Sequence, residues 1–252
     1  MVGILLWKFL GPVLKFAKFL PAVLKTGGTM LLSIGIYAMQ WGWKFAVGFV
    51  LLMFIHECGH ILAARRFGLK VSAPMFIPFV GALILLKDST RNAWVEAWVG
   101  ISGPLLGTFG AACCHLVYLW TGEAFYGGLA FTGYFLNLFN LAPIGFLDGG
   151  RIVTAISPWL WILGAVCLTA LLFLHFNIIV LLILLMSLPR LLSLFRKKSE
   201  AERRYFEIPP WQRVVMSLMY FGLIVALLFG IRMTHVNPRA TQSSQPDVQV
   251  VG

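Results

Sequence analysis

The stretch "FIHECGHILAARRFG", Phe54 to Gly68, sets His56, Glu57 and His60 inside an apolar run that reads as a membrane helix. Histidines four apart share one helix face, so His56 and His60 can direct two imidazole nitrogens at one tetrahedral zinc. Glu57 directly follows the first histidine. It is placed to take a proton from a water whose pKa the metal lowers to about 7. A charged group at such depth costs about 2.5 to 3.5 kcal/mol on insertion scales, and one Zn2+ per chain would offset that cost.

The elements that must position these residues are those of a membrane protein. The chain has 252 residues, 60% hydrophobic and 12% charged, with a mean hydropathy of +0.87. A globular domain carries about 25% charged residues. The net charge of +11 lies in short loops beside apolar runs, where it sets orientation, so nucleic-acid binding is not expected. Seven apolar segments qualify as candidate spans: 29–43, 45–64, 94–120, 127–147, 158–173, 177–194 and 214–231. With the N-terminus in the cytoplasm and the C-terminus outside, all of the 20 Lys and Arg except Lys44, Arg232 and Arg239 fall on the cytoplasmic side. The expected class is therefore an all-α polytopic membrane protein with about seven transmembrane helices.

The rest of the chain divides accordingly. In residues 1–28, Lys8, Lys15, Lys18 and Lys25 share one arc opposite Leu, Phe and Trp, which predicts an amphipathic interfacial helix that is not cleaved as a signal peptide. Residues 29–195 form the membrane-embedded domain, with a catalytic core at about 43–151. Lys70 to Asp88 carries Pro74, Pro78 and Gly81, which break a helix within an apolar segment, so a re-entrant hairpin is expected after the histidine helix. A basic cytoplasmic loop, 196–211, precedes the last span, 212–232, and the polar tail 233–252 is expected to be disordered.

A catalytic zinc takes three protein ligands and a water, so a third ligand is required. Of the nine acidic residues, Asp88, Glu96 and Asp148 are the ones left by sidedness and by setting aside the charged loop. Asp148 ends "NLFNLAPIGFLDGG", at the cytoplasmic end of a span running in the same direction as the histidine helix. Pro143 and Gly145 interrupt that span, and Gly149 and Gly150 permit turns that aim a carboxylate inward. These surroundings favour Asp148.

The pair of motifs, HECGH at His56–His60 and N-x-x-P-x-x-x-L-D-G at Asn140–Gly149, resembles the site-2 protease family of intramembrane zinc metalloproteases. Looser similarity, including "FIPFVGA" and Gly103-Pro104, extends over most of 43–151. The resemblance implies that His56, His60 and Asp148 bind zinc, that Glu57 is the general base, and that Asn140 contacts the substrate. It further implies cleavage of a peptide bond in or near the transmembrane segment of a membrane-protein substrate, in a lipid bilayer such as the bacterial inner membrane. No loop is long enough for the PDZ or CBS domains of many members, so a minimal form is expected. A catalytically silent chaperone of the same fold is the alternative from another class, and intact Glu57 argues against it. A prenyl-protein protease would need a downstream glutamate within a span, on the side of the histidines. Lone His115 and His175 and the four cysteines read as packing residues.

Overall fold

A computed structural model of the protein describes residues 20–234, with the exception of 80, 89 and 198. The helix expected over 1–28 and the tail expected over 233–252 lie mostly outside these described residues. Among the described residues, the chain is all-α apart from one small hairpin.

Helix α1 (Leu20–Trp41) runs into α2 (Trp43–Arg66) through Gly42, whose φ of 78° is the left-handed conformation that a sharp reversal between helices requires. After α2 come the strands β1 (Met75–Ile77) and β2 (Gly81–Leu83), paired antiparallel with Phe76 opposite Ala82. The helix-breaking prolines of the Lys70–Asp88 interval thus sit in a β-hairpin. An isolated bridge between Val71 and Leu86 extends it towards α2. Helix α1 braces the outer side of β1: the Thr26 hydroxyl donates to the Pro74 carbonyl, and the Phe76 N–H donates to the Thr29 hydroxyl. The buried ring of Phe76 then fills a cluster with Tyr37, Phe49, Val50 and Met53.

Helix α3 (Ala93–Thr121) starts at Asn92, whose side chain accepts from the Val95 N–H, and ends at Gly122. Helix α4 (Ala124–Asn140) follows and stops early. The span read as 127–147 is helical only to Asn140, and a series of turns then carries the chain through Pro143 and Gly145 to α5 (Asp148–Ile156). Beyond it are α6 (Leu160–Leu174), α7 (Ile178–Ser193), the short α8 (Glu200–Phe206) with its Ser199/Glu202 capping box, and α9 (Pro210–Met233).

Among the described residues, α2, α3 and α9 are long and apolar enough to cross a membrane, while α6 and α7 are shorter apolar helices. At 1.5 Å per residue, a 24-residue helix is about 36 Å long, above the hydrocarbon thickness of about 30 Å. The outer surface is apolar, with Met39, Trp120 and Phe173 almost fully exposed, as suits contact with lipid rather than water. The interior is where α2, α3, α4, α5 and α9 meet, around Ile101, Leu141, Ile152, Met216 and Leu227. Close approach there depends on small residues. A Cβ on Gly59 would lie 2.2 Å from the Ser102 carbonyl oxygen, so α2 and α3 cross almost backbone to backbone.

Candidate metal centre

The buried face of α2 carries His56, Glu57 and His60, each under 6% exposed. Opposite them, the first residue of α5 delivers Asp148, itself 7% exposed. The His56 Nε2 lies 3.0 Å from Asp148 Oδ2 and 3.1 Å from His60 Nε2, and His60 Nε2 lies 3.2 Å from Asp148 Oδ1. Of the described His, Cys, Asp and Glu residues, these form the one group of three whose ligand atoms all lie within 4.8 Å of one another.

The second nitrogens of both rings fix the chemistry of this group. Asn137 Nδ2 donates to the Gly133 carbonyl at 2.7 Å, which turns its Oδ1 towards His56 Nδ1 at 2.8 Å as an acceptor. The Val99 carbonyl oxygen stands 2.7 Å from His60 Nδ1. Both Nδ1 atoms must therefore donate, and in neutral rings both Nε2 lone pairs face inward, towards the carboxylate. Three acceptors converge with no donor between them, an arrangement that a cation satisfies. The two Nε2 atoms, 3.1 Å apart, approach the edge of about 3.3 Å expected of a tetrahedron with ligand bonds of about 2.0–2.1 Å.

Local sequence explains how the backbone holds this geometry. Gly103 lies directly beneath His60, where a Cβ would fall 2.2 Å from the Nε2 atom. Gly107 gives Asn137 the same room, at 2.3 Å from its Oδ1. The pair after Asp148 is needed for space rather than for unusual torsions. Both glycines are helical, and a Cβ would meet the Leu141 carbonyl oxygen at 2.0 Å from Gly149, or the Gly145 and Ile144 oxygens at 2.6 Å from Gly150. The residue of this turn with a positive φ is Gly145, at 57°.

Sequence reasoning and structure divide over the remaining polar residues. Asp88 accepts from the Lys70 N–H and closes the base of the hairpin. Glu96 is engaged by Arg190 at 2.9 Å and by the Tyr205 hydroxyl, so neither rival for the third position joins the histidines. Burial, with the Glu96 carboxylate beside it, pushes the Tyr205 phenol up, which keeps it a donor. Asn140 donates to the Leu136 carbonyl of its own helix. The asparagine against the histidine is Asn137, which sequence reading missed. Its signal was present: a second amide in an apolar helix, three residues before the motif asparagine.

Comparison with known proteins agrees with this geometry. A family model described as peptidase family M50 matches residues 44–123, which contain the histidine pair. "Zinc metalloprotease MJ0392" of Methanocaldococcus jannaschii is 31% identical over 135 residues, half of this chain and 39% of that protein. "Probable zinc metalloprotease EGY2, chloroplastic" of Oryza sativa is 29% identical over 145 residues, 40% of this chain and 27% of that protein. The protein Rip3 of Mycobacterium tuberculosis is 29% identical over 141 residues, 51% of this chain and 35% of that protein. The chain thus spans well under half the length of each of these relatives. Over residues 44–123 and the histidine pair they carry, the chain is similar to peptidase family M50, the site-2 protease family.

Proposed function

We propose that the protein is an intramembrane zinc metalloprotease that hydrolyses a peptide bond in or near the transmembrane segment of another membrane protein. The observation that carries this reading is the convergence of two Nε2 lone pairs and one carboxylate beside a buried glutamate. In this reading His56, His60 and Asp148 hold one zinc. When bound, the metal polarises the scissile carbonyl and lowers the pKa of water to about 7. Glu57 takes the proton as the water oxygen attacks the carbonyl carbon. It then returns that proton to the amide nitrogen as the C–N bond breaks. Asn137 and the Val99 carbonyl hold the imidazoles in the tautomer this requires.

The finer reading keeps seven spans, with the N-terminus in the cytoplasm and the C-terminus outside. In support of it, the groups expected at the cytoplasmic side meet one another: Glu96 at the start of α3, Arg190 at the end of α7 and Tyr205 in α8. The hairpin after α2 re-enters the bilayer boundary and supplies an edge for a substrate strand that has unwound. Helix α1 occupies the outer edge of β1, so the edge assigned to the substrate is that of β2, where the Ala82 backbone N–H and carbonyl point away from β1. Asn140 is assigned in this reading as a contact for the substrate backbone. The membrane proposed is a bacterial inner membrane.

The test compares membrane-protein fragments in cells producing the wild type and Glu57→Gln, alongside the zinc content of both purified proteins. Fragments present with the wild type and absent with the variant, at equal zinc of about one per chain, are expected. Equal fragments from both, or loss of zinc in Glu57→Gln, would refute the assigned roles.

A further inference from the structure

Asp148 is the first residue of α5, directly after the turns that pass through Pro143 and Gly145. The carbonyls of Gly145 and Gly150 bracket Asp148 in sequence. Arg190, in the last turn of α7, donates from one guanidinium nitrogen to the Gly145 carbonyl at 3.1 Å and to that of Gly150 at 3.4 Å. The Trp161 indole N–H donates to the same Gly150 oxygen at 2.8 Å, and the guanidinium lies 5.6 Å from the centre of that indole ring. The other guanidinium nitrogen donates to Glu96, which in turn accepts from Tyr205. One planar cation therefore ties both ends of the turn to α3, α6 and α8 at once. Arginine is suited to this because its donors form a rigid fork, while a lysine ammonium is a single point.

We propose that Arg190 is a positioning residue for the metal centre: by holding the Gly145 and Gly150 carbonyls, it fixes where α5 begins and hence where the Asp148 carboxylate sits relative to the two histidines. The residue lies outside the 44–123 segment matched by the family model. Glu96 orients the guanidinium, and Tyr205 couples the cytoplasmic loop to it. A displacement of α8 would thus reach Asp148 through two side chains.

The inference rests on the metal reading above, and the two fail separately. Full-length wild type, Arg190→Ala, Arg190→Lys and Arg213→Ala are purified in detergent. Zinc affinity is measured by competition with a chromophoric chelator, and the visible spectrum is recorded after Co2+ substitution. Arg213 is the control because it too donates to backbone carbonyls, those of Ala155 and Ile156 at the far end of α5 and that of Phe206 at the end of α8. Arg190→Ala is expected to weaken zinc binding by about 10- to 100-fold and to shift the cobalt bands, as changes behind metal ligands do. Arg190→Lys should weaken it at least about fivefold, and decides the matter alone if the alanine variant does not fold. Arg213→Ala should lower thermal stability with zinc affinity within about twofold of wild type. Affinity and spectrum unchanged in Arg190→Lys, or equal weakening in Arg213→Ala, would overturn the proposal. Failure of the wild type to bind one zinc would instead remove the metal reading itself.

Discussion

Gly103→Ala is the smallest change with a large expected effect, because the added methyl has one place to go. Built on the existing backbone, its carbon lies 2.2 Å from His60 Nε2, 2.3 Å from Cε1 and 2.8 Å from Cδ2. Ordinary carbon contacts begin near 3.5 Å, so the imidazole and the methyl must part by about 1 Å. The ring has little freedom to do so. Its Nδ1 is bonded at 2.7 Å to the Val99 carbonyl of the same helix that bears the new methyl. Moving α2 and α3 apart as a unit would stretch that bond. Metal sites tolerate about 0.2 Å in their bond lengths, and a misplacement of about 1 Å at a reacting centre costs about 100-fold. We therefore expect zinc affinity to fall about 100-fold, or about 3 kcal/mol, with activity near 1% of wild type. The assay is zinc competition with a chelator on the detergent-purified protein, with fragment formation as a second readout. Gly222→Ala in α9 is the control. Among the described residues, nothing outside its own stretch of helix lies within 4 Å of its Cβ, and the helix should gain about 0.5–1 kcal/mol. Wild-type zinc affinity in Gly103→Ala would show that His60 does not present Nε2 to a metal at this place.

Three further outcomes follow from the same geometry. Asp148→Asn keeps the size of the side chain and removes its charge, so zinc binding should weaken and activity fall by orders of magnitude. Asp88→Asn should retain most of both, since its carboxylate closes the hairpin, and Glu96→Gln should lose far less than Asp148→Asn, because Glu96 reaches the site only through Arg190. Asn137→Ala leaves the His56 Nδ1–H without its acceptor and should weaken zinc by about 10- to 100-fold, read by the same competition. For sidedness, single cysteines at Ser199 and Ser243 in a cysteine-free background should label from opposite faces, cytoplasmic and external. Labelling of both from one face would be incompatible with the seven-span reading.

The sequence by itself carried the local part of this site. Helical periodicity alone puts His56 and His60 on one face, since a spacing of four residues turns the chain by little more than one full rotation. Composition and the distribution of Lys and Arg likewise identify the solvent of the fold, because transfer into lipid acts on each segment separately. Asp148 was legible through a coarse argument about depth and chain direction, which narrows acidic residues without giving a distance. Tertiary structure decided what depends on contacts between segments far apart in the chain. Asn137 and Asn140 have the same chemistry and lie one helical turn apart, and only the crossing of α2 and α4 makes Asn137 the partner of His56. Gly149 and Gly150 suggest conformational freedom when read in sequence, yet they are helical and small because the Leu141–Gly145 backbone passes against them. Arg190 would read as one more cytoplasmic cation, and its contacts with residues about 40 and 90 positions away exist only once α7 is folded against α3 and α5. Periodicity and hydropathy are properties of one segment, whereas the tautomers and the placement of the carboxylate are set where four segments meet.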